Sequence, residues 1–184
     1  MTTHEAAATD PTPPAAEPAH LRTARQLQHL TDRADIADLL DRYLRSLDEG
    51  VFDEAWGRAF YAEDATAEMP LGTVRGRDAV VARIREGMAL FDRTVHLGGN
   101  AAIEIDGDRA TARGAQLSTH VLADGSEALF VSGGHADTEL VRTPDGWRIA
   151  ASALRIAWTG GTPPHLPPEM GPPHAAQRPG TKGR

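Results

Sequence analysis

The residues best suited to chemistry lie in Arg93-Thr94-Val95-His96-Leu97-Gly98-Gly99-Asn100. One histidine stands among residues that favour an extended, pleated backbone, directly before a glycine pair. The pair predicts a bulge, or a place where another group approaches the backbone closely. Imidazole titrates near neutral pH, so it can take or give a proton under ordinary conditions. At the mouth of a curved sheet His96 would be a general acid or base. The plainer reading is a core histidine tied to a backbone carbonyl. Asp48 bears on that choice. It falls in the last turn of a predicted helix, where the dipole disfavours a carboxylate. An aspartate there needs a cationic or hydrogen-bonding partner.

Several elements must position these two residues. A strong helix is predicted over about Asp32 to Glu49, with a weak start near Leu21 and Thr31 as its N-cap. Asp32 and Asp35 would then sit in the first turn and suit the dipole. Ile36, Leu39, Leu40, Tyr43, Leu44 and Leu47 recur at helical spacing, and Gly50 ends the helix. A short helix over about Phe52 to Tyr61 packs Phe52, Trp56 and Phe60. Short strands follow at Ala65 to Met69 and Thr73-Val74, then a third helix over about Arg77 to Phe91. From Thr94 the period changes from 3.6 to 2. Four long strands are predicted near 94–105, 109–122, 127–143 and 147–158, separated by Asp-Gly and Pro-Asp-Gly turns. Helices followed by an antiparallel meander make an α+β domain. A twisted sheet with helices on one side leaves a concave pocket.

Polar residues inside that sheet mark the pocket. Gln116, Ser118 and His120 share one parity; His135 and Asp137 share a parity with Leu129 and Val131. Polar groups facing a core cost about 1–3 kcal/mol each unless paired, so several together imply a polar cavity. His135 and Asp137 could instead stand on an oligomer contact, and Arg142 and Arg155 could be solvated or paired strand residues. Three strand histidines without close spacing give little support to zinc, so no metal is expected.

Bulk properties narrow the classes. The chain has 184 residues, net charge −7 and no cysteine, with a pI near 5.6. This favours one domain, gives no phosphate-binding surface, and removes disulfides and thiolate chemistry. Neither a secretory signal nor a membrane span is predicted, and a cytoplasmic location is expected. Residues 1–20, rich in Ala, Pro and Thr, read as a disordered tail. The folded domain is expected over 21–160, and 161–184 as a Pro/Gly-rich tail that could cover the pocket mouth.

An ordered set of motifs resembles the SnoaL-like branch of the nuclear-transport-factor-2-like superfamily. It comprises Ile36-Ala37-Asp38-Leu39-Leu40-Asp41-Arg42-Tyr43, Ser46-Leu47-Asp48-Glu49-Gly50, Tyr61-Ala62-Glu63-Asp64-Ala65, Gly76-Arg77-Asp78-Ala79-Val80, the His96 stretch and Asp145-Gly146-Trp147-Arg148-Ile149. The resemblance implies a cone-shaped α+β barrel, three N-terminal helices against a strongly curved antiparallel sheet, with a deep pocket. In that branch, scytalone dehydratase, hexachlorocyclohexane dehydrochlorinase and bile acid 7α-dehydratase carry an Asp and a His where Asp48 and His96 stand. Tyr43 is similar to a catalytic tyrosine of the bile acid enzyme, and His120 to a second histidine of scytalone dehydratase. Met69 departs from that enzyme, which places a water-holding tyrosine there.

The resulting expectation is a cofactor-free, dehydratase-type elimination on a small apolar cyclic or polyketide-like molecule. Asp48, His96, Tyr43 and His120 would be catalytic. Met69, Trp56, Asn100, His135 and Asp137 would bind substrate. An isomerase or polyketide cyclase is the alternative within enzymes. A ligand-binding module, in which Asp48 and His96 do not touch, is the alternative outside them. The partner is the small-molecule substrate, with no nucleic acid or membrane. Apolar residues on the outer sheet face imply a homo-oligomer, trimer or dimer.

Overall fold

Ala, Leu, Arg and Gln dominate residues 19–31, and no breaker stands between Pro18 and Gly50. In the computed structural model, which describes residues 18–70 and 72–167, the first helix is therefore longer than expected. Helix α1 runs Ala19–Glu49 from Pro18, and Gly50 closes it with φ 72°. Thr31 is interior to it, so the expected cap there is corrected. Ala19 and His20, assigned to the tail by composition, are helical. The disorder expected of residues 1–17 and the Pro/Gly-rich tail expected over 168–184 lie outside the described residues.

Asp53 accepts from the Trp56 amide at 2.7 Å and caps α2, Glu54–Phe60. Strand β1 is Tyr61–Met69 and β2 is Gly72–Arg75; α3 is Arg77–Met88. Phe91 opens β3 instead of closing the helix. The four long strands are β3 Phe91–Asp106, β4 Arg109–Leu122, β5 Leu129–Thr143 and β6 Gly146–Gly161.

One sheet holds all six strands in the order β2-β1-β6-β5-β4-β3. The expected antiparallel meander is β3 to β6, but β1 lies parallel to β6, so the sheet is mixed. Its edges are β2 and β3, and the sheet is curved without closing into a barrel. The helices pack on one face. Ile36, Leu39, Tyr61, Val80, Leu140 and Ile149 are almost fully buried there. On the other face Leu97, Leu117, Gly133 and Trp158 are successive cross-strand neighbours, and the leucines and the tryptophan are exposed.

A buried ion pair ties α1 to the meander. Asp32 is 3 % exposed. It accepts two bonds from the Arg142 guanidinium, at 2.6 and 2.7 Å, one from the Trp147 indole at 3.2 Å and one from Gln28 at 3.1 Å. Arg142 also donates to Asp108 and lies 4.4 Å over the Trp147 ring. Asp32 is thus a mid-helix anchor, not the first-turn carboxylate expected. The Arg142 bonds outweigh burial and, with Trp147 and Gln28, hold the Asp32 carboxyl below its usual value.

Asp32→Ala should lower unfolding stability by about 2–3 kcal/mol, read from the urea midpoint, because Arg142 loses its buried partner but keeps Asp108 and part of its solvent. The native pKa is depressed, so the wild-type advantage is full above the unfolded carboxylate value of ~3.9 and fades as pH falls through the lower native value.

Candidate active site

The end of α1 meets edge strand β3. Gly98 leaves room for this contact: a Cβ there would lie 2.2 Å from Leu44 Cδ1 of α1, and the leucine side chain would have to shift. The sequence expectation of a close approach and a bulge is met twice, since the β3–β4 register also shifts between Gly99 and Ala102. Asn100, inside that shift, adopts φ 55° and lines the cavity.

Asp48 gathers three donors from β3. His96 Nδ1–H donates to Oδ1 at 2.6 Å, the His96 amide to Oδ2 at 3.1 Å, and the Thr94 hydroxyl to Oδ1 at 2.8 Å. Burial pushes the Asp48 carboxyl up, but these bonds outweigh it and hold it below the usual carboxylate value. The proton on Nδ1 leaves Nε2 with its lone pair. The His96 side chain is 5 % exposed and lines a cavity of about 1490 Å³ between sheet and helices.

His120 stands across from Thr94 on β4, its ring edge-on to His96 with centroids 5.3 Å apart. It stacks on Phe91 at 4.1 Å and, more distantly, on Phe130. Nδ1 lies 3.2 Å from the Phe130 carbonyl. A carbonyl only accepts, so Nδ1 carries the proton. Burial first, then the neighbouring His96, lowers the His120 pKa to about 4, against opposing effects of the carbonyl and Asp48. At neutral pH this ring is an acceptor through Nε2.

The inner wall is polar in a row. His96, Ser118, Ser132 and Thr159 are successive cross-strand neighbours on β3 to β6, and all four line the cavity. Gln116 donates to Ser118 at 3.1 Å. Deeper, Tyr43 of α1 accepts from Tyr61 at 2.8 Å. Met69, Leu44, Met88 and Ile156 supply apolar wall, and Pro163, Pro164 and Leu166 after β6 also border the cavity.

His96, Tyr43, His120, Met69 and Asn100 therefore line one space, and Asp48 stands behind His96 without bordering it. Two expected binding residues lie elsewhere. Trp56 is 8 % exposed and lies in an aromatic cluster with Tyr43, Phe52 and Phe60. Its indole N–H donates to Ser46 at 2.8 Å, which leaves it a core residue outside the cavity lining. Asp137 faces away from the cavity because Thr138, its neighbour, takes the inward parity. It pairs with Arg113 at 2.7 Å on the outer face. His135 reaches the cavity rim but accepts from Arg113 at 2.9 Å beside Asp137. Arg155 pairs there with Glu68. Thr94, Tyr61, Ser132 and Thr159 escaped the sequence reading. The inward row could have been found by extending the parity of Ser118 across the turn.

Comparison with known proteins supplies a family. A family model described as a SnoaL-like domain matches residues 28–153. The uncharacterized protein Rv2910c of Mycobacterium tuberculosis is 30% identical over 129 residues, covering 70% of this chain and 87% of its own. Among solved structures, a candidate scytalone dehydratase from Novosphingobium aromaticivorans is similar with TM-score 0.67 and 22% identity, over 85% of this chain and 97% of that one. A hexachlorocyclohexane dehydrochlorinase from Novosphingobium barchaimii is similar with TM-score 0.65 and 21% identity, over 78% and 99%. At these identities the two structures speak for the fold.

Imidazole nitrogen NMR should find His120 as the Nδ1–H tautomer at neutral pH and uncharged until the pH approaches about 4. Protonation near the ordinary histidine value of ~6.5 would contradict the aromatic slot.

Proposed function

The chain belongs to the SnoaL-like domain family, and on that premise we propose that it is a cofactor-independent lyase of the dehydratase type. One observation carries the reading: the 2.6 Å bond between His96 Nδ1 and Asp48 Oδ1 at the wall of a large cavity. A carboxylate on one ring nitrogen fixes the tautomer, frees the other nitrogen and stabilises the imidazolium that forms. His96 Nε2 takes a proton from carbon beside a carbonyl. The C–H pair becomes the new double bond, and the hydroxyl on the next carbon leaves with a proton as water.

That second proton comes from the His96 imidazolium or from Tyr43. His120 is a poor source, since it is uncharged at neutral pH and its one N–H faces the Phe130 carbonyl. It serves instead as an acceptor for a substrate hydroxyl. Acid–base transfer of this kind contributes about 10²–10⁴-fold, and orientation in the cavity adds to it. The scheme as drawn uses only side chains of the protein. The substrate class is an apolar cyclic or polyketide-like molecule, suited to Met and Leu walls with a few polar points.

Cavity size favours a second reading. At about 1490 Å³ it exceeds the ~300–1,000 Å³ common for small-molecule sites. A polyketide cyclase or an isomerase of a larger ring system begins with the same proton abstraction. A non-catalytic binding module has less support, because it predicts that Asp48 and His96 do not touch, and they are 2.6 Å apart.

His96→Ala and Asp48→Asn should each lower turnover of a cyclic β-hydroxy ketone panel by about 10²–10⁴-fold, with unchanged circular dichroism. Full activity in either folded variant would refute the dyad.

A further inference from the structure

The chain contains two tyrosines, and the fold brings them together. Tyr43 lies on α1 and Tyr61 at the start of β1. Their hydroxyl oxygens are 2.8 Å apart, with Tyr61 donating, and their rings meet edge to face at 5.9 Å. Tyr61 is 1 % exposed, Tyr43 is half-buried, and both border the cavity. Beside Tyr61, the Ser152 hydroxyl of β6, which also lines the cavity, acts on the Tyr61 oxygen. The aromatic rings of Trp56 and Phe60 flank Tyr43 and offer its hydroxyl no lone pair of the kind an oxygen offers.

We infer that Tyr61 is a positioning residue for Tyr43, and that the pair builds a subsite for a ligand oxygen that gains negative charge. The reasoning is directional. Tyr61 donates to Tyr43, and Ser152 stands beside the Tyr61 oxygen. The Tyr43 oxygen is thereby supplied with a proton from behind, and its own proton is the one available to the cavity. Any charge that the ligand draws onto Tyr43 is shared with the Tyr61 hydroxyl. Such chains strengthen each member in a low-dielectric setting. Ionisation of the pair follows the same order. Burial raises both phenols, and Tyr43 raises Tyr61 further, so Tyr43 is the more acidic of the two.

This inference rests on the lyase reading and narrows its substrate. Removing a proton beside a carbonyl sends the carbonyl π pair onto oxygen, and a donor held at that oxygen stabilises the enolate. The class implied is a ligand with a carbonyl oxygen that becomes an enolate, or a phenol that binds as phenolate. Tyr43 would touch that oxygen, which leaves the His96 imidazolium to protonate the departing hydroxyl; Tyr61 would act through Tyr43.

The test uses 4-nitrophenol, whose phenolate is yellow and whose phenol is not. It is titrated into wild type, Tyr43→Phe, Tyr61→Phe and Ser152→Ala near the probe's own pKa, with circular dichroism to confirm folding. Wild type should bind the probe and enrich its phenolate. Tyr43→Phe should abolish the enrichment. Tyr61→Phe should weaken binding about threefold to tenfold and lower the phenolate fraction, the size expected for one ordinary hydrogen bond acting through Tyr43. Ser152→Ala should do the same more weakly, and it carries the test if Tyr61→Phe does not fold. A folded Tyr61→Phe with wild-type binding and phenolate fraction would overturn the inference, as would wild type that binds no probe at millimolar concentration. The probe needs no turnover. Intact probe results without catalysis on any ketone would therefore strike the lyase reading alone, and unchanged probe results beside an inactive His96→Ala would strike this one alone.

Discussion

Three hydrogen-bond donors of one edge strand converge on a single carboxylate at the unfavourable end of a helix. The helix dipole disfavours Asp48 by about 0.3–1 kcal/mol. Each bond to a charged acceptor contributes about 1.5–3 kcal/mol, so the donors win even after burial takes its share. The same bonds fasten α1 to β3, which has a strand neighbour on one side alone. Attachment of the helix and alignment of the His96 ring are therefore one event. Gly98 completes the contact by letting Leu44 rest on bare backbone.

The cavity follows from that attachment at one end and from the Asp32–Arg142 pair at the other. Between them the helix stands off the curved sheet, and the inward side chains of β4 to β6 are too small to fill the gap. Ser118, Ser132, Ala136, Ser152 and Thr159 line it where a closed core would place leucine or phenylalanine. Small side chains keep the space open, and Gln116 partners Ser118 within it. The larger aromatic rings withdraw to the two flanks, one around Trp56 and one around His120.

Much of this was legible because it is local. Gly50 after an apolar stripe gave the helix end, and the turn dipeptides gave the four long strands. The parity of Gln116, Ser118 and His120 gave the wall of β4. What failed depended on distant pairing or on a choice between two mixed faces. Nothing near Tyr61 announces a parallel neighbour at Ile149. On β5 both parities carry apolar and polar residues. Leu129 and Val131 suggested an inward face, yet Phe130, Ser132 and Thr138 took it. Asp137 went outward with that misassignment. Trp56 was misread for a related reason: an aromatic on a short amphipathic helix serves a core or a pocket equally well, and its indole bond to Ser46 is a tertiary fact. Asp32 was misplaced because helix propensity carried α1 past Thr31 to Pro18.

That longer helix has a further use. Residues 19–31 are exposed along their whole length, a rod of about 20 Å at the usual helical rise. With no cysteine elsewhere in the chain, one thiol introduced at Gln26 would be chemically unique. A spin label or dye there would ride on a rigid arm joined directly to the helix that carries Asp48. Its distance to a second label on β6 would report how far the sheet opens from α1 when a ligand enters, without modifying any side chain that borders the cavity.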